Sequence, residues 1–344
     1  MTPHPTDAQA PETIEVRVPG RVNLIGDHTD YTGGRAMPMA IDRWTTLRVH
    51  RGGTSVHLVS ADEVEPMEIE LPLDIDPSRI SPPWGRFVAG VIAEMGATTG
   101  LRGTVETTIP VGAGLSSSAA LGIGIALGLG FDASTVELAQ LTQRAEHRAT
   151  GVPTGIMDQL CIASATAGHA TAIDCTTLEV THVPIPETAT IIVRFIAHRT
   201  LDGSPYAERV AQCRAAESVI GPLASASIGD LDRLDDDILR RRARHVISEN
   251  HRVGAFAAAL EADDLVAAGE IMIESHHSLR DEYEVSTPEI DRAVAELSAL
   301  DGVHGVRLTG GGFGGCVVSL CAPGVEIAGG WPVRPVGAAS VSDR

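Results

Sequence analysis

The sequence contains no lysine, and all 26 of its basic residues are arginines. That absence removes every chemistry that needs a side-chain primary amine, Schiff-base and pyridoxal-phosphate catalysis among them, together with the phosphate-binding lysine of a Walker A loop. A nucleotide bound here must be held by backbone amides and arginine. Long apolar runs are also missing. The longest, residues 119–131, is interrupted by four glycines and falls short of the roughly 18 to 20 residues that a membrane span requires, so no membrane partner is expected. Cysteine is sparse and odd in number: Cys161, Cys175, Cys213, Cys316 and Cys321 form no CxxC pair. This argues against a disulfide framework or a zinc knuckle and predicts buried free thiols. Among the 13 histidines there is no HExxH or comparable spacing, and His276 and His277 are merely adjacent, so no transition-metal centre is expected. Positive charge is in deficit. The formal net charge of -19 opposes nonspecific nucleic-acid binding, which depends on basic residues releasing counterions. Residues 1–13 lack the basic and apolar regions of a signal peptide and read as a frayed tail, which leaves the cytoplasm as the expected compartment.

What is present suits two packed domains, since 344 residues exceed the usual size of one. Alternating apolar positions predict strands over 14–18, 45–49 and 104–109, and the spacing over 82–95 predicts a helix. The clearest helix covers 131–151: Ser134 and Glu137 make a capping-box pair, Leu138, Leu141 and Ala145 recur at helical spacing, and Gly151 can close it. Further helices are expected over 204–218, 230–261, 264–278 and 287–300, with strands over 306–309 and 317–320 flanking a glycine-rich turn. Met37 and Met39 are assigned to the core. The acidic-to-basic run over 230–244 reads as a solvated helix surface. Local proline content places a domain boundary near residues 184–187.

Three stretches carry the chemistry. Pro110-Val-Gly-Ala-Gly-Leu-Ser-Ser-Ser-Ala-Ala120 lies between a strand-like and an apolar helix-like segment, the setting for an anion site. Gly112 and Gly114 permit close backbone approach, and amides at a helix start favour negative charge. Gly310, Gly312 and Gly315 satisfy G-x-G-x-x-G, but residues 316–321 continue as a β-branched strand where a dinucleotide fold needs a helix, which rejects that reading. Such a loop can still offer backbone to a phosphate or to a neighbouring loop. Pro19-Gly-Arg-Val-Asn-Leu-Ile-Gly-Asp-His-Thr-Asp-Tyr31 gathers donors and acceptors of the kind that sugar hydroxyls need.

Together with Gly155-Ile-Met-Asp-Gln159, Glu274-Ser-His-His-Ser-Leu-Arg-Asp-Glu-Tyr-Glu-Val-Ser286 and Leu308-Thr-Gly-Gly-Gly-Phe-Gly-Gly-Cys316, these motifs resemble the galactokinase branch of the GHMP kinase family over about residues 16–320. The resemblance implies an α+β, two-domain GHMP kinase fold, with an N-terminal ribosomal-S5-like half over 1–185 and a C-terminal ferredoxin-like half over 186–344. It implies an enzyme that uses ATP and magnesium to phosphorylate the anomeric hydroxyl of galactose, and a monomer is expected. Arg21 and Asp158 match the catalytic pair, and Asp27, His28, Asp30, Gly155 and Tyr206 fall where the family binds its sugar. Gly112, Ala113, Gly114, Leu115, Ser116, Ser117 and Ser118 would cradle the triphosphate, Trp84 would contact the adenine, and Ser118 and Glu146 would hold the magnesium. Asp158, three residues after Gly155, is expected near the start of a helix, where the dipole and Arg21 favour negative charge. Two departures touch the sugar: Asp27 stands where the family usually has Glu, and residues 193–200 lack its usual Asn. They leave the kinase expectation intact and keep one alternative in view, a kinase for another hexose, amino sugar or cyclitol; a second alternative, a non-catalytic sugar and nucleotide sensor on the same fold, arises because a kinase fold can lose chemistry while keeping binding.

Overall fold

A computed structural model describes residues 13–198 and 205–343. Most of the expected tail, the last two residues of the 193–200 stretch and Ser204 lie outside the described residues. The chain opens with β1 (Ile14–Ile25) and β2 (Arg35–Arg51), long antiparallel partners. β1 covers the predicted 14–18 and continues through Pro19 and Gly20, because register shifts at Pro19/Gly20 and Asn23/Ile25 absorb the residues that cannot join a regular ladder. The first half of the sugar-like motif is therefore strand, and the turn begins only at Gly26. Met37 and Met39 are fully buried, as expected.

β3 (Ser55–Ser60) and β4 (Met67–Glu70) follow, then α1 (Gly85–Met95), held off the prolines at 82 and 83, and β5 (Leu101–Thr107). α2 (Ser117–Gly128) starts directly after the glycine-serine loop and is buried on most of its circumference, lying on β1 and β2. α3 (Thr135–Thr150) has the predicted reciprocal Ser134–Glu137 cap and ends on Gly151 in the left-handed conformation. α4 (Met157–Ser164), β6 (His169–Asp174) and β7 (Glu179–Pro184) complete this half, and β8 (Thr190–Ala197) opens the next.

The second half is α5 (Tyr206–Ile220), α6 (Asp237–Glu261), α7 (Leu265–Asp281), α8 (Pro288–Ser298), β9 (Val303–Thr309), β10 (Gly315–Cys321), β11 (Gly330–Val333) and β12 (Ser340–Asp343). The helix expected over 230–261 is interrupted. A 3-10 turn over Ile228–Arg233 ends at an extended Leu234, and α6 starts afresh because the Asp236 carboxylate accepts from the amides of Ile238 and Leu239. The run over 230–244 is also not wholly solvated: Arg242 is 2% exposed and reaches Gln212 Oε1 at 2.9 Å, the Glu282 carbonyl and the Glu284 carboxylate.

Two sheets result. The larger runs β12-β1-β2-β5-β3-β4, with β6 paired to β2 and β7 to β6; the smaller runs β11-β8-β10-β9 and is antiparallel throughout. The chain's last strand thus returns to its first. Cys161, Cys213, Cys316 and Cys321 are buried free thiols, whereas Cys175 is only partly covered.

Candidate active site

A cleft of about 580 Å³ is lined by the first motif, the glycine-serine loop, α3, the start of α4, Tyr206 and Gly310. Arg21 enters it from β1 with its backbone tied to the loop, its N–H donating to the Leu115 carbonyl at 3.2 Å. Its guanidinium forks onto Asp158, Nε to Oδ1 and Nη2 to Oδ2 at 2.7 Å each, while Nη1 donates to the Gly114 carbonyl at 2.6 Å. Asp158 is the second residue of α4, as the expected helix start requires. Bidentate pairing of this kind fixes orientation as well as charge. The attraction and hydrogen bonds from Asp158 outweigh burial and raise the Arg21 pKa above its usual value.

Gly112 and Gly114 both adopt positive φ, and Ser116, also left-handed, turns the chain into α2. Gly112, Gly114, Ser116, Ser117 and Ser118 face the cleft, while the side chains of Ala113 and Leu115 are buried in the core. Ser116 does more than lend an amide, since its hydroxyl donates to Asp158 Oδ2 at 2.5 Å. Ser118 Oγ donates to Glu146 Oε1 at 2.8 Å, and Gln159 Nε2 holds the other oxygen at 2.6 Å. Burial and then the nearby negative charge of Asp158 push the Glu146 carboxyl up to about 7. Among the described residues no group of three or more His, Cys, Asp or Glu is placed to hold a metal ion. Trp84 stands in an adjoining hollow of about 220 Å³ that shares Val111, Ser117 and Ser118 with the cleft. Its indole Nε1 donates to the Glu65 carbonyl at 3.2 Å.

The first motif supplies the opposite wall. Asp30 lies so close to Gly155 that a Cβ there would sit 1.9 Å from its Oδ2, so only glycine fits. Burial and the charge of Asp158 push the Asp30 carboxyl up to about 7, although amides of Met157 and Tyr31 oppose the shift. His28 has φ 64°, packs its ring 5.5 Å from that of Tyr206, and meets the Tyr31 hydroxyl at 2.9 Å through Nδ1. Asp27 borders the cleft, but its carboxylate is turned away to other partners. Oδ1 accepts the Gly310 amide at 2.9 Å and Oδ2 lies 2.6 Å from Arg307 Nη2. The glycine-rich turn thus gives backbone to a neighbouring loop. Arg307 itself is fully buried and is also 3.6 Å from Glu249, whose Oε1 accepts the Gly26 amide at 3.0 Å.

Several of these partners escaped the sequence reading. Gln159 follows Asp158 directly in the Gly155–Gln159 stretch, where spacing alone gives it no role. Arg307 left one signal, a lone charge in the apolar stretch 306–309. Glu249 left none, since it sits among ordinary helix-surface residues.

A glycine-serine anion loop opening a helix, a carboxylate locked to arginine across it and two sheets meeting at one cleft define a small-molecule kinase of the GHMP type. The GHMP kinases N terminal domain matches residues 86–166 and the GHMP kinases C terminal domain matches 256–328, while the Galactokinase galactose-binding signature covers 6–51. The chain belongs to the galactokinase family: it is 41% identical to the galactokinase of Bos taurus over 327 residues, 89% of this chain and 83% of that one. The Homo sapiens galactokinase is 40% identical over 328 residues, with the same two coverages. The structure of Lactococcus lactis galactokinase complexed with galactose superposes with a TM-score of 0.86 at 29% identity, covering 95% of each chain. Methanococcus jannaschii mevalonate kinase shares the fold at 19% identity, with a TM-score of 0.66 over 97% of this chain and 100% of that one.

Proposed function

We propose that the protein transfers the terminal phosphoryl group of ATP to the anomeric hydroxyl of galactose. The observation that carries this reading is the Arg21–Asp158 pair, set in one cleft between the glycine-serine loop and the sugar motif. In the reaction a bond forms between the anomeric oxygen and the γ-phosphorus, the bond from that phosphorus to the β–γ bridging oxygen breaks, and ADP leaves. Asp158 receives or orients the hydroxyl proton. Arg21 fixes the carboxylate and adds positive charge beside the transferred group, in a reaction governed mainly by alignment and electrostatics. The loop amides and the start of α2 hold the triphosphate, and Trp84 borders the hollow for the base.

Magnesium fits the oxygen pair of Ser118 and Glu146, because this hard cation usually takes only one or two protein carboxylates and completes its shell with water and phosphate. When bound, the ion neutralises charge on the phosphate oxygens. A single chain supplies all the described residues that line the cleft, which supports a monomer. No described helix is long and apolar enough to cross a membrane; the partners proposed are ATP and a sugar, and the compartment proposed is the cytoplasm. The two halves divide near residue 185, with β12 crossing back.

A second reading changes only the sugar. It is favoured by Asp27, whose carboxylate oxygens are directed to Gly310 and Arg307, leaving the cleft shaped by other groups on that wall. Both readings are tested by incubating the protein with Mg-ATP and a panel of monosaccharides and cyclitols, following ADP release and identifying the product by phosphorus NMR. Galactose 1-phosphate as the preferred product supports the first reading and another sugar phosphate the second. ADP release with no panel member phosphorylated, or no turnover at all, overturns both.

A further inference from the structure

Three helices each bring one side chain to the same corner of the cleft. Ser118 is the second residue of α2, Glu146 stands on α3, and Gln159 is the third residue of α4. Ser118 and Glu146 line the cleft half-buried, while Gln159 is only 1% exposed. The Glu146 carboxylate divides its oxygens between the other two: Oε1 accepts from the Ser118 hydroxyl at 2.8 Å and Oε2 from Gln159 Nε2 at 2.6 Å. An ionised carboxylate only accepts, so the amide must turn its nitrogen towards Glu146. Gln159 Oε1 is buried and has no hydrogen-bond partner among the described residues, so the side chain is directed at Glu146 alone.

The two carboxylate oxygens are therefore not equivalent. Oε1 and the Ser118 oxygen already lie 2.8 Å apart, which matches the spacing of about 2.8 to 3.0 Å between neighbouring oxygens on an octahedron with bonds of roughly 2.0 to 2.1 Å. Magnesium, which demands that octahedron, meets the pair without rearrangement. Calcium has bonds of about 2.3 to 2.6 Å, gathers about six to eight oxygens and readily takes both from one carboxylate. To offer Oε2 as well, the Glu146 carboxylate would have to turn about its last side-chain bond. That torsion has only a broad preference of its own, so an outside partner decides its angle, and the short charge-assisted bond from Gln159 resists the turn.

We propose that Gln159 is a positioning residue that holds Glu146 as a one-oxygen ligand and so makes the metal position of the cleft selective for magnesium over calcium. The statement rests on the magnesium assignment and the phosphoryl transfer proposed above. Removing a group that orients a metal ligand from behind typically costs about 10- to 100-fold in metal affinity, and here the loss falls unequally on the two ions. Gln159 also follows Asp158 directly, so one turn of α4 carries both the proposed proton acceptor and the group that orients the metal ligand.

Manganese, whose paramagnetic resonance reports its own binding, tests the proposal in the complex of the protein with ADP at pH 8, with magnesium and calcium titrated as competitors. Gln159→Met, similar in length and without a donor, should weaken magnesium by about 10-fold and calcium by less than about 3-fold. Gln159→Glu adds carboxylate oxygens beside Glu146 and should shift the ratio of the two affinities further towards calcium; it carries the test if the Met variant fails to fold. In turnover assays Gln159→Met should need about 10-fold more free magnesium while the KM for the sugar stays within about two-fold, a split that a loosened fold would not produce. Equal losses for both ions, or none, overturn the proposal and leave Gln159 a clamp between α3 and α4. A manganese signal that Glu146→Gln leaves unchanged overturns the metal assignment itself and the proposal with it. Selectivity as expected in a protein that phosphorylates no sugar overturns the catalytic reading and leaves the metal position standing.

Discussion

Arg21 and Asp158 are separated by 137 positions and meet through two 2.7 Å contacts, so the chemistry proposed here depends on a pair that no local spacing could reveal. Family resemblance matched them; the fold brings them together. Asn is nearly isosteric with Asp but cannot take a proton. Asp158→Asn should therefore slow single-turnover transfer by about 10² to 10⁴ while equilibrium sugar binding moves far less. Adding a loss of Arg21 should cost less than the two single effects combined, because the groups act as one unit. Transfer within a few-fold of wild type would reassign the proton acceptor. Asp30 offers a different measurement. Its carboxyl is raised from 3.8 to about 7, so the folded state holds a proton that the unfolded chain has already released. That contribution is complete below about pH 4 and is lost as pH rises towards 7, of the order of 2 kcal/mol after allowance for partial exposure to the cleft. Without sugar, Asp30→Asn should gain thermal stability over the wild type at pH 8 relative to pH 5. A melting-temperature gap that is the same at both values would contradict the shift.

Element by element, the sequence was most legible where a cap is encoded locally. α3 begins and ends where Ser134, Glu137 and Gly151 said it would, and the α7 and α8 starts follow Asp264 and Thr287, whose side chains accept from their first turns. The α6 break was less visible because three consecutive residues, Asp235, Asp236 and Asp237, could each cap; the backbone uses Asp236. Asp236→Ala should cost about 1 kcal/mol in denaturant unfolding, whereas Asp235→Ala should cost little. Equal costs would mean the cap is misplaced. The extension of β1 through Pro19 and Gly20 was hidden for another reason: a bulge is set by the partner strand, and no single strand announces it. In the same way the sugar motif could be read as polar density, but which carboxylate faces the cleft could not. Asp27 and Asp30 are three residues apart, and tertiary partners sort them.

At the scale of the whole molecule, the halves are joined by a buried ionic knot. Arg307 of β9 lies against Asp27, beyond the end of β1, and near Glu249 of α6, while Arg252 holds the other Glu249 oxygen at 2.7 Å. Charges buried this deeply contribute stability chiefly by being complete. Arg307→Leu, which leaves two carboxylates facing one another, should destabilise the protein by about 3 to 5 kcal/mol, and the loss should shrink when Asp27→Asn is added. A surface-like loss below about 1 kcal/mol would show that the knot is solvated.

β12 pairs with β1 from Ile14↔Asp343 to Arg17↔Ser340, and upstream of it residues 336, 338 and 339 donate backbone bonds to Ala40, Ala165 and Ile162. Because the pairing is antiparallel with Ile14 beside Asp343, tension applied between those two positions loads these bonds one at a time, like a zipper. An optical-trap experiment should record a small early rip of the last strand before the main unfolding event. Simultaneous rupture with the body would show the strand to be mechanically fused to it. Past that strand, the line of force runs to the C-terminal end of α4 at Ile162 and Ala165, and Asp158 sits at the other end of that helix. A load on the tail is thus in series with the helix that carries the proposed proton acceptor.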